Sequence, residues 1–166
     1  MSKSPSRILL ITGVAGSGKS TIGQTAAITL GWPYFEADDF HSVANKAKMA
    51  SGTPLNDTDR APWLAAIRAK IDEVRAADQC AVFTCSALKE SYRHVLMHNA
   101  PEVVLVYLSG DFDTIAQRVG QRAGHYMKSD MVRSQFAALE PPQGALTLDV
   151  AQTPEALVAQ VLAAVR

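Results

Sequence analysis

The chain has 166 residues, of which 48 % are hydrophobic and 19 % are charged. This composition is typical of one globular domain and excludes a disordered chain. Sixteen Lys and Arg balance sixteen Asp and Glu, which argues against a nucleic-acid partner that depends on a strongly basic surface. Since no apolar run is long enough for a signal or membrane segment, we expect a cytoplasmic protein with no membrane partner.

Short apolar runs alternate with longer helical patterns along the chain. The sequence predicts strands over residues 7–13, 33–37, 80–86, 102–109 and 145–150. It predicts helices over residues 19–30, 61–77, 88–98, 111–121, 130–139 and 154–165. Because strand–helix alternation favours parallel strands joined by right-handed crossovers, we expect a single α/β domain over residues 1–166, with helices on both faces of a parallel sheet.

The first predicted strand is followed at once by "GVAGSGKST" (13–21). The segment fits the pattern G-x-x-x-x-G-K-[ST] without a mismatch, between a strand and a helix, as a P-loop requires. Its backbone N–H groups would bind phosphates, Lys19 would reach the β- and γ-phosphates, and the Ser20 hydroxyl would bind Mg²⁺. The predicted ATP-binding residues of this loop are Gly13, Val14, Ala15, Gly16, Ser17, Gly18, Lys19, Ser20 and Thr21.

A guanine-specific nucleotide site would need an Asn-Lys-x-Asp segment after a late strand. The nearest match, "NKAK" at 45–48, has Lys in place of the Asp and lies too early in the chain. The sequence therefore favours ATP over GTP.

An acidic segment, "EADDFH" (36–41), follows the second predicted strand. Because this strand ends at the same sheet edge as the P-loop, a carboxylate here could accept a proton from an acceptor hydroxyl or bind a Mg²⁺-bound water. We predict that Asp38 is the base or hydroxyl-orienting residue and that Glu36 contributes to the metal site. His41 would bond to substrate or cap the next helix, and a solvated acidic turn is the alternative for the segment.

Cys80 and Cys85 lie five residues apart in one predicted strand. An odd offset places their side chains on opposite faces of the strand, so we expect them not to pair with each other.

Several segments together resemble the bacterial-type gluconokinases, which are P-loop small-molecule kinases similar to shikimate kinase. They are "GVAGSGKST", "DDFH", "KMASGTPLNDTDRAPWL", "CSALKESYR", "YLSGDFD", "RAGHYM" and "SQFAALEPP". The chain departs from the family pattern at Glu36, where Asp is usual, and at Ser42, where a Pro commonly follows the His. The first departure bears on the predicted metal role of Glu36, which could act directly or through water.

The resemblance implies ATP-dependent phosphorylation of D-gluconate to 6-phosphogluconate, with Mg²⁺ as the metal. It also implies a three-layer P-loop kinase fold whose sheet has the order 2-3-1-4-5. A substrate-binding insertion would lie at about 38–62 and a mobile lid at about 118–133. Members of the family are often dimers, and the sequence alone leaves the oligomeric state open.

Basic and polar residues of the insertion and of "CSALKESYR" suit an acidic polyol. Arg60 would clasp the substrate carboxylate, as an Arg does in the similar shikimate kinases, and its alternative is an ion pair with Asp57 or Asp59. Lys89, Tyr92 and Arg93 share one helix face, which could also be ordinary surface. The predicted substrate-binding residues are Asp38, His41, Lys48, Arg60, Ser86, Lys89 and Arg93.

A basic segment near the end of the fourth predicted helix suits a lid that closes over ATP. We assign Arg122 to the phosphates and Arg118 to the adenine side, and the two roles could be exchanged. Gln152, after the last strand, would border the adenine, whereas a helix cap at Thr153 is an equally good explanation of that segment.

The predicted reaction is an in-line phosphoryl transfer with Lys19, Asp38 and Arg122 as the catalytic residues. A shikimate-type kinase is the alternative within enzymes, although its Gly-rich triplet is replaced here by "CSALK". A non-catalytic ATP-binding module is the alternative from another class, although it would not need Asp38, Arg60 and Arg93.

Overall fold

Five parallel strands form the central sheet of a computed structural model that describes residues 6–123 and 127–166, apart from the side chains of 121–129. The strands are β1 (Ile8–Thr12), β2 (Tyr34–Glu36), β3 (Ala81–Thr84), β4 (Val103–Ser109) and β5 (Leu146–Asp149). Their order is β2-β3-β1-β4-β5, which confirms the predicted sheet. The register pairs Thr84 with Ile11 on one side and with Glu36 on the other. The P-loop and the end of β2 therefore meet at one edge of the sheet.

Helices cover both faces of this sheet. They are α1 (Lys19–Leu30), α2 (Val43–Ala50), α3 (Asp57–Ala76), α4 (Glu90–Met97), α5 (Phe112–Ala123), α6 (Met127–Ala138) and α7 (Pro154–Ala163). Strand β1 is buried throughout because alternate side chains enter two cores. Leu9 and Ile11 pack in the core that includes α1, α5 and α7, while Ile8 and Leu10 pack in the core that includes α3 and α4. The three-layer arrangement predicted for a P-loop kinase is confirmed.

The insertion after β2 is more ordered than its polar sequence suggests. A short 3₁₀ helix (Ala37–Phe40) is followed by α2, which the sequence did not predict and which Ser42 caps by accepting from the Asn45 N–H. Our predicted start of α3 at residue 61 was wrong, since the helix begins at Asp57. The reason is a capping box in which Asn56 and Asp59 exchange side-chain-to-backbone hydrogen bonds, satisfying N–H groups that an uncapped helix leaves open.

Both cysteines are free, as predicted, and Cys85 is buried while Cys80 is half-buried. Among the described residues, no helix combines the length and the apolar character that crossing a membrane requires.

Candidate phosphoryl-transfer site

The P-loop forms a phosphate-sized concavity between β1 and α1. Gly18 is the N-cap of α1 and supplies no side-chain cap, so the first N–H groups of the helix stay open to an anion. Gly16 has a φ of 84°, and a Cβ added there would lie 2.4 Å from Val119 Cγ2; a side chain would both strain the loop and strike α5. The small cavity in front of the loop is lined by Gly16, Gly18, Lys19, Ser20 and Thr21.

Lys19 is held inside this loop. Its Nζ donates to the backbone oxygen of Val14 at 3.0 Å, which turns the charge back over the concavity. Burial lowers the pKa of Lys19, and the negative charges of Glu36 and Asp38, together with the Cys85 thiol, oppose that shift. The carboxylates of Glu36 and Asp38 are thus near enough to the P-loop to act on the charge of Lys19.

Ser20 and Glu36, the predicted metal residues, are in direct contact. The Ser20 hydroxyl donates to Glu36 Oε2 at 2.9 Å, and that oxygen also accepts from the hydroxyls of Tyr34 at 2.6 Å and Thr84 at 3.0 Å. Burial and the bond to Glu36 raise the pKa of Tyr34 to about 12, so its hydroxyl remains a donor at neutral pH. Glu36 is therefore fixed in orientation toward the P-loop.

Close packing of α1 on the sheet makes room for this arrangement. A Cβ on Gly23 would lie 2.5 Å from Thr84 Cγ2 and 3.0 Å from Tyr34 Cε2. Only glycine at this point of α1 allows both side chains to reach Glu36. Tyr34, Thr84 and Gly23 were not predicted as site residues, and a glycine in the middle of a predicted helix was the available signal.

Asp38 lies in the 3₁₀ helix just past β2 and is exposed. Within the described part of the chain, its carboxylate has no hydrogen-bond or ion-pair partner. Burial lowers the pKa of both Lys19 and His41, and the negative charge of Asp38 opposes that shift in each, so Asp38 is within electrostatic reach of the P-loop lysine and of the insertion. An exposed, unpartnered carboxylate in that position is able to accept a proton.

The ring of His41, close to Asp38 in the chain, is held in a fixed orientation. Its ring stacks on Trp63 with centroids 4.2 Å apart, and Trp63 Nε1 donates to the Ala37 oxygen at 2.7 Å. Asn45 Nδ2, 3.3 Å from His41 Nδ1, carries only hydrogens, so Nδ1 accepts and the neutral ring has its proton on Nε2. Burial lowers the pKa of His41, which favours that neutral form. Its alternative role as a helix cap was wrong, because Ser42 caps α2.

A cluster of charges forms where the start of α3 meets α4. Tyr92 OH donates to Asp57 Oδ1 at 2.6 Å and accepts from Arg60 NH1 at 3.2 Å. Lys89 Nζ lies 3.8 Å and Arg60 NH1 lies 3.9 Å from the same Asp57 oxygen. Arg60 and Lys89 are thus brought together. Arg60 also makes the ion pair with Asp57 that the sequence offered as its alternative role.

Lys48 projects from α2 toward α3. Its Nζ donates to both carboxylate oxygens of Asp59, at 2.9 and 3.0 Å. Asp59 belongs to the capping box of α3, so Lys48 ties α2 to the start of the helix that carries Arg60. Its predicted contact with substrate stays a prediction.

Arg93 is buried beneath the segment that follows β3. NH1 donates to the backbone oxygens of Ala87 at 2.9 Å and Leu88 at 3.1 Å, and NH2 donates to the backbone oxygen of Glu140 at 2.7 Å. These bonds hold the backbone between Ser86, which is half-buried, and Lys89. The contacts of Ser86 and Arg93 with substrate stay predictions, and the geometry adds a positioning task for Arg93.

Two of the residues predicted for the adenine end lie close together. Arg118 NH2 donates to the Val150 oxygen at 2.6 Å, and Gln152 follows two residues later with its side-chain oxygen accepting from Gln160 at 2.7 Å. Thr153 caps α7, as the alternative for this segment proposed. The side chain of Arg122, like residues 124–126 of the predicted lid, lies outside the described residues.

Gln135 on α6 was missed by the sequence analysis. Its Oε1 accepts from the backbone N–H of Ala15 at 2.9 Å, so a side chain occupies one of the P-loop amides that the motif assigns to phosphate. Nothing in the local sequence marks a glutamine 120 positions away as a partner of the loop.

Comparisons with known proteins agree with this geometry. The shikimate kinase family profile matches residues 15–155. A probable gluconokinase of Mus musculus is 43 % identical over 81 % of this chain and 83 % of its own length. The thermoresistant gluconokinase of Escherichia coli (strain K12) is 37 % identical over 96 % of this chain and 93 % of its own.

A solved structure gives the same result in three dimensions. The crystal structure of a gluconokinase from Sinorhizobium meliloti 1021 superimposes with a TM-score of 0.84 at 39 % identity, covering 99 % of this chain and 93 % of that one. With identity above one third over nearly the whole chain, and with the phosphate loop and acceptor cluster at one sheet edge, the chain belongs to the gluconokinase family.

Proposed function

We propose that the protein transfers the γ-phosphoryl group of ATP to the C6 hydroxyl of D-gluconate. The observation that carries the proposal is the exposed carboxylate of Asp38, which lies just past β2 and makes no hydrogen bond or ion pair among the described residues. Its charge acts on Lys19 of the P-loop and on His41. The charge of Arg60 also acts on His41. Arg60 and Lys89 both lie within 4 Å of Asp57 Oδ1. A kinase acting on a polyol acid needs both a phosphate site and a separate carboxylate site. Relatives named gluconokinase support the choice of acid.

Ser20 and Glu36 would hold Mg²⁺. A hydroxyl and a carboxylate oxygen 2.9 Å apart are the hard oxygen donors that this ion prefers, with its remaining positions left to water and phosphate oxygens. When bound, the ion would neutralise charge on the β- and γ-phosphates. Glu36 is longer than the Asp usual in the family, and Tyr34 and Thr84 fix the direction in which it reaches.

In the proposed reaction, Asp38 accepts the proton of the C6 hydroxyl. The C6 oxygen forms a bond to the γ-phosphorus, and the bond from that phosphorus to the β–γ bridging oxygen breaks, with its electron pair leaving on ADP. Lys19 and the P-loop amides stabilise the phosphoryl oxygens during transfer. Arg122 of the lid is proposed to add positive charge there, and Arg118 with Gln152 is proposed to border the adenine.

The remaining acceptor residues are proposed to orient gluconate. Arg60 and Lys89 bind its carboxylate, because one Asp57 charge leaves this pair with excess positive charge. His41 Nε2–H and the Ser86 hydroxyl bond to chain hydroxyls. Lys48 supports α3 through Asp59, and Arg93 holds the backbone that carries Ser86 and Lys89.

ADP release measured with purified protein, MgATP and a panel of acids tests this proposal. We expect gluconate to stimulate ADP release far above the rate without acceptor, and shikimate to have little effect, because Arg60 and Lys89 would bind either carboxylate but only the longer polyol carries a C6 hydroxyl to Asp38. Stimulation by shikimate alone would establish the shikimate-type alternative. Binding of ATP without stimulation by any acid would establish a non-catalytic module.

A further inference from the structure

Asp57 is an exposed carboxylate on which three donors converge. Its side chain is 72 % exposed, yet the Tyr92 hydroxyl, Lys89 Nζ and Arg60 NH1 all lie within 4 Å of its Oδ1. The bond from Tyr92 and the charges of Lys89 and Arg60 lower the pKa of Asp57. It is therefore ionised at neutral pH, and one oxygen occupies the focus of the cationic cluster.

The donors cannot serve Asp57 and a second carboxylate equally. Tyr92 has a single hydroxyl proton, and at 2.6 Å that proton is given to Asp57. Lys89 and Arg60 are 37 % and 31 % exposed, so an acid arriving from solvent can reach them. A carboxylate that binds all three donors must therefore take the position of Asp57 Oδ1.

Release of Asp57 costs little. As the first residue of α3, it is anchored by its backbone, and Asn56 and Asp59 form the capping box without it. Its exposed carboxylate can turn into water by a change of rotamer, because ion pairs between exposed side chains are weak. The charge of the helix N-terminus remains favourable for Asp57 in the turned position.

We propose that Asp57 is a resident anion of the acceptor site, which the substrate carboxylate displaces, and that Tyr92 donates its hydroxyl proton to Asp57 in the empty site and to the substrate in the loaded one. The inference rests on the proposed function and adds two residues that set selectivity for acids. A neutral polyol leaves Asp57 in place, whereas an acid exchanges with it. Tyr92 thus strengthens the binding of a carboxylate by donating a hydrogen bond to it. Asp57 weakens the binding of every acid by competing for the same donors.

Calorimetric titration of the full chain in the presence of MgADP tests this inference, with gluconate and the neutral polyol glucitol as probes. For Asp57→Asn, we expect gluconate to bind about three- to tenfold more tightly, since a competitor is removed, and glucitol to bind as before. For Tyr92→Phe, we expect weaker binding of gluconate only. Glu73→Gln, an exposed carboxylate on the same helix paired with Lys70 at 3.0 Å, is the matched control and should change neither.

The direction in which Asp57→Asn changes the affinity for gluconate decides whether Asp57 competes with the substrate carboxylate. Weaker binding of both gluconate and glucitol would show that Asp57 binds substrate hydroxyls, and unchanged gluconate binding would show that it does not compete; either result overturns the inference. Steady-state kinetics provide a second readout, with a lower KM for gluconate and an unchanged kcat expected for Asp57→Asn. If the wild-type protein binds gluconate but does not phosphorylate it, the proposed function fails while the displacement is still measured. No binding of gluconate by the wild type overturns both.

Discussion

The phosphate side of the site is formed by consecutive residues, 13–21, whereas the acceptor side is assembled from side chains on several separate elements. In the P-loop, the phosphate contacts are expected from backbone N–H groups and a half-buried lysine, and α1 begins inside the loop. On the acceptor side, Asp38, His41, Arg60 and Lys89 come from the 3₁₀ helix, the residue after it, α3 and the residue before α4.

This difference in construction implies a difference in energetics. A loop whose shape depends on glycines and on the packing of α5 is preformed, so it can stabilise developing charge without reorganising. The acceptor side holds its cations in partly exposed ion pairs, such as Arg60 with Asp57 and Lys48 with Asp59, which exchange readily with water or substrate. We therefore expect changes in the loop to act on kcat and changes in the cationic cluster to act on the KM for gluconate.

The largest effect is expected for Lys19→Ala on the phosphate side. Removing this charge should lower kcat by at least about 10³-fold, because the phosphoryl oxygens lose a protein cation that stabilises them in the transition state. Initial rates of ADP release at saturating gluconate measure this. Lys70→Ala on α3, which removes a half-buried lysine paired with Glu73, is the matched control and should keep full activity. A Lys19→Ala protein with only a raised KM for gluconate would contradict the division between the two sides.

A smaller effect, and on a different constant, is expected for Arg60→Gln on the acceptor side. Loss of a charged hydrogen bond to the substrate carboxylate should raise the KM for gluconate about ten- to a hundredfold, with kcat and the KM for ATP nearly unchanged. Arg68→Gln removes an arginine from the same helix, where it bonds to Asp72 at 3.0 Å, and should leave all three constants alone. A fall in kcat with an unchanged KM would place Arg60 in the transfer step instead.

The same contrast explains which parts of the fold and site could be predicted from the sequence. The sheet order and most helices followed from apolar runs and the resemblance, and the P-loop followed from one contiguous motif. Helix α2 was missed because its sequence, "VANKAKMA", is polar and buries little beyond Asn45. The start of α3 was placed late because the capping box formed by Asn56 and Asp59 was not recognised in the sequence.

The site residues that could not be predicted from the sequence are those held in place by long-range hydrogen bonds. Tyr34 and Thr84, which orient Glu36, are 50 residues apart, and Gln135 reaches the P-loop from 120 residues away. No spacing rule relates such partners, since only the sheet register and helix packing bring them together. The division of the domain into insertion and lid, the homodimer and the cytoplasmic location stay predictions.

Asp38→Asn measures the central claim most directly, because Asp38 is the acceptor-side residue that is proposed to take the proton during phosphoryl transfer. We expect kcat for gluconate to fall about 10²- to 10⁴-fold, as loss of a general base does, while calorimetry shows gluconate and MgADP still binding. Asp39→Asn, which changes the exposed neighbour in the same 3₁₀ helix, should retain the wild-type rate. Full activity of Asp38→Asn, or equal loss in Asp39→Asn, would contradict the assignment of Asp38 as the proton acceptor.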